Sequence, residues 1–215
     1  MVRNAIVSEI EQNTQNDEKV YNRIQSEQYR NMKKNAISDI NLGKEHFENA
    51  KKYRNKGEKE KEQDQAKIAA KGLIDGAEKM LKANAIMNGE ENRKYYKTGE
   101  TKKDKKRNKN KKAQIVKKTH SFDILLQTPS NSKVITKQDA NILDQYIDKE
   151  KGFQSSHTAL AYGGVQPKIE DINRIINVVD KIQKHVDNKE KKAIEKKNKK
   201  KTNIEKVADD LIEKL

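Results

Sequence analysis

From Ala66 to Met87 the apolar residues keep to one helical face. Ala66, Ala70, Leu73, Ala77 and Met80 follow at steps of four, three, four and three, and Met87 lies one heptad beyond Met80. This is the seam of a heptad pattern, and it commits this part of the chain to a helix that meets another helix. Position 84 on the seam is Asn, and Ala69, Gly76 and Ala83 flank it at seven-residue intervals. Side chains that small let a second helix approach closely. Gly72 and Gly76 form a Gly-xxx-Gly pair, but Asp75 and the neighbouring lysines exclude a membrane setting for it.

A first helical segment precedes this one. Residues 2–54 contain no Pro and only Gly43, and Val2, Ile6, Ile10, Val20, Ile24, Met32, Ala36 and Ile40 recur at helical spacing. Asn13 and Asp17 interrupt that face, so the stripe is thin and needs a partner surface. Asn41-Leu42-Gly43 marks a candidate break, with His46, Phe47, Ala50 and Tyr53 on the turn after it. Residues 55–65 are almost wholly polar, either a solvated helical stretch or a turn around Gly57. Residues 1–56 and 60–96 therefore read as two long helices forming an antiparallel hairpin.

The second half is more varied. Phe122, Ile124, Leu125 and Leu126 end at Pro129, and Val134-Ile135 follow; this reads as a short strand pair or an extended packed segment. Thr136-x-x-Asp139 resembles a capping box and opens a helix carrying Ala140, Ile142, Leu143, Tyr146 and Ile147. Residues 153–165 read as a loop containing Gly163-Gly164. Pro167 suits the first turn of the next helix, whose stripe is Ile169, Ile172, Ile176, Val179, Ile182 and Val186, widened by Ile175 and Val178. After Asn188 the chain becomes lysine-rich. Thr202-x-x-Glu205 reads as a second capping box, ahead of Ile204, Val207, Ala208, Leu211, Ile212 and Leu215.

The expected fold is mostly α: elongated helices, a long hairpin plus C-terminal helices, with a basic extended connector and a small mixed central segment, and not a compact single core. The expected divisions are a hairpin over 1–98, a basic arm over 99–120, a central segment over 121–187 with helices near 137–150 and 167–187, and a basic tail with a short terminal helix over 188–215. The thin stripes are expected to gain stability from partner chains, making the protein oligomeric or partner-dependent. The alternative is an ordinary hairpin that buries its stripes internally.

Charge supplies the functional signal. The 215 residues carry a net charge of +15, and 38% are charged against 32% hydrophobic; soluble domains average about 25% charged and 45–50% apolar. More than half of the excess sits in residues 99–120, which hold ten basic and two acidic side chains. Asn and Ile each occur 21 times, as in proteins of AT-rich genomes, a bias that explains Lys over Arg but not the clustering of the lysines. The absence of Cys excludes disulfides, thiolate zinc sites and a Cys nucleophile. No run of 18 apolar residues is present, and the N-terminal residues lack the apolar core of a secretory signal. The expected location is the cytoplasm or the interior of a virus particle.

Little here points to catalysis. His46, His120, His157 and His185 form no metal-ligand spacing. Gly163-Gly164 precedes a helix, where a phosphate can bind, but the positive φ that a tight turn needs is the favoured account of it. Ser155-Ser156-His157 defines no triad, and the acidic residues are dispersed among lysines. No enzyme, metal or cofactor is expected.

The lysine runs are the candidate sites. Lys102, Lys103, Lys105, Lys106, Arg107, Lys109, Lys111, Lys112, Lys117 and Lys118 form the first; Lys196, Lys197, Lys199, Lys200 and Lys201 lie in the second. Such segments neutralise phosphates and release counterions, so binding weakens steeply with salt. With one Arg and no interleaved aromatic ring, they are unsuited to reading base sequence. An acidic protein surface is the competing partner, and the other alternative is that both runs only solubilise a lysine-rich chain. Ala66, Ala70, Leu73, Ala77, Met80, Ile172, Ile176 and Val179 are the candidate packing residues. In composition the chain is similar in style to internal or cargo proteins of phage particles and to accessory subunits of ribonucleoprotein machines, a likeness that covers no motif and transfers no residue. The expected function is a non-catalytic structural or accessory component of a large assembly that contacts nucleic acid or acidic surfaces through lysines. The alternative is a free-standing, sequence-nonspecific nucleic-acid-binding protein.

Overall fold

A computed structural model describes residues 16–95, 114–146, 156–162 and 164–212. It is mostly helical. α1 (residues 16–24) is followed by α2 (Glu27–Asn55), α3 (Lys59–Met87), α4 (Phe122–Leu126), α5 (Lys137–Leu143), α6 (Ser156–Tyr162) and α7 (Ile169–Ile212). The first long helix, expected to run unbroken to the Asn41-Leu42-Gly43 region, is interrupted at Gln25-Ser26. Ser26 caps α2 by accepting the Tyr29 N–H at 3.2 Å, and its own hydroxyl donates to the Arg23 carbonyl. Gly57, at φ +72°, makes the turn between α2 and α3, so the polar stretch divides there.

α2 and α3 form the antiparallel hairpin. Gly43 does not break α2, contrary to expectation; it is where the two backbones come closest. A Cβ on Gly43 would stand 2.8 Å from the Leu73 backbone nitrogen, and one on Gly72 3.0 Å from the Asp39 carbonyl. The predicted seam is buried from end to end: Ala66, Ala70, Leu73, Ala77 and Met80 are each at most 1% exposed. So are flanking residues such as Ala69, Ile74, Leu81 and Ala83, because the helix is covered on its other sides by α7, α6 and the central segment. The seam needs no second chain to bury it.

α7 packs along the hairpin antiparallel to α2, and four ion pairs made by three α2 cations fix its register. Lys33 meets Asp187 at 2.7 Å and also Glu190, Lys44 meets Asp180 at 2.7 Å, and Arg54 meets Glu170 at 2.8 Å. Ile172, Ile175, Val179, Ile182 and Val186 are buried. Ile176, placed in the centre of the expected stripe, is only partly buried at its edge; Ile175 takes the inner position. The buried residues string out along these three helices instead of gathering into one compact core.

The central segment differs from the expected strands. Residues 116–135 wind into two 3-10 turns, Val116–Lys118 and Asn131–Lys133, around α4. Side chains hold these turns: Thr128 Oγ1 donates to the Leu125 carbonyl, and Asn131 Nδ2 donates to the same oxygen at 3.1 Å. Asn84, the polar position on the α3 seam, donates to Asn131 Oδ1 at 2.9 Å, which docks the segment on α3. The expected capping box at Thr136 and Asp139 is present and opens α5. β1 (Lys94–Tyr95) and β2 (Gln114–Ile115) pair antiparallel, Lys94 with Ile115 and Tyr95 with Gln114. The chain therefore enters and leaves residues 96–113 at one point on the molecule.

Candidate nucleic-acid interface

Of the first lysine run, Lys102, Lys103, Lys105, Lys106, Arg107, Lys109, Lys111 and Lys112 lie outside the described residues. Lys117 and Lys118 are exposed on the turn after β2.

The second run is not an extended tail. α7 continues through it without interruption, and Thr202 lies inside the helix, its hydroxyl donating to the Asn198 carbonyl at 3.2 Å, so no second helix starts there. Lysine is a good helix former, Glu190 and Glu195 break the like-charge sequence, and Ala193 continues the buried face. α1 lies beside this part of α7: Lys196 meets Asp17 at 2.9 Å, and Lys197 meets Glu18 at 3.3 Å and the Tyr21 ring at 5.5 Å. Lys199 is exposed. The side chains of Lys200 and Lys201 lie outside the described residues.

Buried polar groups on the body are mostly committed to each other. Tyr29 is fully buried and donates to Glu190 at 3.3 Å; burial, then the Glu190 and Asp187 charges, push its phenol above the usual range. Burial works against the Lys33 ammonium, but hydrogen bonds to Asp187 and Glu190 outweigh it and hold the group above the ordinary lysine range. Glu78 and Lys82 pair at 2.7 Å, and the exposed His120 reaches both Glu78 oxygens at 3.1 Å. Glu90 accepts from the backbone and hydroxyl of Ser130. These contacts join elements. Among the described residues no cluster of His, Asp and Glu is placed to hold a metal ion, and no described helix is long and apolar enough to cross a membrane.

One cation is held at some cost. Lys189 donates to Asn88 Oδ1 beyond the end of α3. Burial and then the neighbouring Lys133 lower its affinity for the proton, with Glu90 opposing them. Burial and then Lys189 lower that of His185. Three basic side chains from α7 and the 131–133 turn thus share one seam. The candidates of the second run begin at Lys196 when the charges are read linearly; indexed at 3.6 residues per turn, Lys181, His185, Lys189 and Lys192 fall on the same face as Lys196.

No protein-family model, no curated protein and no solved structure matches the chain.

Proposed function

We propose that this protein is a non-catalytic structural or accessory component of a larger assembly, and that it contacts nucleic acid without sequence preference through its lysines. The observation that carries this reading is the course of α7. At Glu190, which reaches Tyr29 near the start of α2, and at Lys189, which reaches Asn88 past the end of α3, the bundle runs out. α7 goes on to Ile212, about 30 Å further at 1.5 Å per residue. Of the described elements only α1 accompanies it there. A lysine-bearing rod projecting from a packed body suits contact with phosphates on something larger. A second reading, a free-standing nucleic-acid-binding protein, is favoured by the burial of the α3 seam within the chain.

The test is binding of the purified chain to labelled duplex DNA across a salt series, with sedimentation and circular dichroism alongside. Engaging half of the eight charges at 102–112 gives a slope of about −4 for log K against log salt. Binding that ignores salt, or no binding, overturns nucleic acid as the partner. A well-folded monomer or dimer that binds alone favours the free-standing reading over the assembly component.

A further inference from the structure

α7 carries one row that is almost purely basic. Positions 174, 178, 181, 185, 189, 192, 196 and 199 follow at steps of four, three, four, four, three, four and three, and fall within an arc of about 80° at 3.6 residues per turn. They are Arg174, Val178, Lys181, His185, Lys189, Lys192, Lys196 and Lys199; Val178 is buried, and the row contains no acid. From Lys181 to Lys199 it runs about 27 Å along one straight helix. On the outer arc of the same helix, by contrast, Lys184 and Lys191 alternate with Asp180, Asp187 and Glu195.

The packed elements leave the middle of the row uncompensated. Arg174 pairs with Asp171, Lys181 with Asp139 at 2.6 Å and Lys196 with Asp17. Between them, His185, Lys189 and Lys192 form no ion pair among the described residues, and Lys133 adds a further cation from the facing turn. Glu90, which also accepts from Ser130, attracts the Lys189 charge, but the repulsion from Lys133 outweighs it. Gathering like charges on one seam is unfavourable unless something anionic lies over them.

We infer that the row from Lys181 to Lys199 is a track for the phosphate backbone of a nucleic acid laid along α7. This rests on the nucleic-acid reading above and assigns it to particular side chains. Protein partners are matched by interfaces poor in Lys and rich in aromatic residues, whereas the row shows no exposed apolar residue and no Phe, Tyr or Trp. Interfaces with nucleic acid are more polar and more positive. Lysine is a point charge without the bidentate fork of Arg, so the track holds phosphates with no selection among bases.

The experiment compares two charge-matched pairs in the full chain. Lys192→Gln with Lys199→Gln removes two cations from the row, and Lys184→Gln with Lys191→Gln removes two from the outer arc; all four side chains are exposed, so the fold is preserved in both. In duplex binding followed over a salt series, the row pair should flatten the slope by about 1.8, which at 0.1 M salt is a loss of about 60-fold in affinity. The outer pair should change affinity by less than a few-fold. Equal losses in the two variants overturn the track and leave nucleic-acid contact standing. A parent chain that binds polyglutamate but not duplex overturns the nucleic-acid reading and the track with it.

Discussion

Lys82 lies one turn beyond Glu78 on α3, the charged atoms 2.7 Å apart and each side chain less than a tenth exposed. Both are held inside the hairpin's covered side, with only His120 opening toward solvent. Removing Lys82 leaves Glu78 with His120, whereas removing Glu78 leaves the Lys82 ammonium buried without its partner. Glu78→Leu should therefore destabilise the protein by about 3–5 kcal/mol, and adding Lys82→Met should recover much of that. Urea denaturation of the single and double variants measures it. A single variant as stable as the parent would mean that water reaches the pair.

Gly76 sets the closeness of the hairpin. A methyl there would stand 2.5 Å from Ile40 Cγ1 and 3.0 Å from the Ala36 carbonyl. Alanine favours a helix over glycine by about 1 kcal/mol, but overpacking costs about 1–3 kcal/mol. The clash should win, and Gly76→Ala should lower the thermal midpoint despite its better propensity. Ala77→Leu should cost about 1–3 kcal/mol for the same reason. A rise in the midpoint of either variant would show that α2 and α3 can separate without penalty.

Two adjacent isoleucines on α7 should behave differently. Ile172→Ala and Ile175→Ala empty fully buried sites and should each cost about 2–5 kcal/mol. Ile176→Ala, at the edge of the core, should cost clearly less. Equal losses would place Ile176 as deep as its neighbour.

His185 gives the stability a dependence on pH. Its folded affinity for the proton is below the ordinary value near 6.5, through burial and then Lys189. The unfolded chain therefore binds the proton more readily, and stability is lost as pH falls below about 6.5. Between pH 7 and 5.5 the parent should lose more stability than His185→Gln. The Asp139 carboxylate moves over a lower range: burial raises it, but Lys181 and Thr136 outweigh that and hold it below the usual value. Identical losses in parent and variant would mean that His185 titrates as a free imidazole.

Sequence periodicity located the elements whose apolar faces are buried within the chain. The α3 seam, the α5 capping box and the first half of α7 follow from spacing alone. Failures came where polar side chains decide the backbone. Phe122, Ile124, Val134 and Ile135 look like strand residues, yet Thr128 and Asn131 bond to the Leu125 carbonyl and close helical turns. Gly43 looked like a break, whereas its missing side chain serves the partner helix. The second lysine run read as a basic tail because spacing along the chain does not show Asp17 and Glu18, which arrive beside it from the far end of the sequence.

The continuity of α7 makes length equivalent to rotation. Each residue added to an α-helix turns everything beyond it by about 100° and advances it 1.5 Å. One alanine inserted after Asn188 would keep both halves helical yet swing Lys192 and Lys199 out of line with Lys181 and His185. Seven inserted residues would bring them back to within about 20°. The chain thus fixes where its charges point by angular phase relative to the Ile172–Val186 core, and it tolerates whole heptads of change far better than single residues.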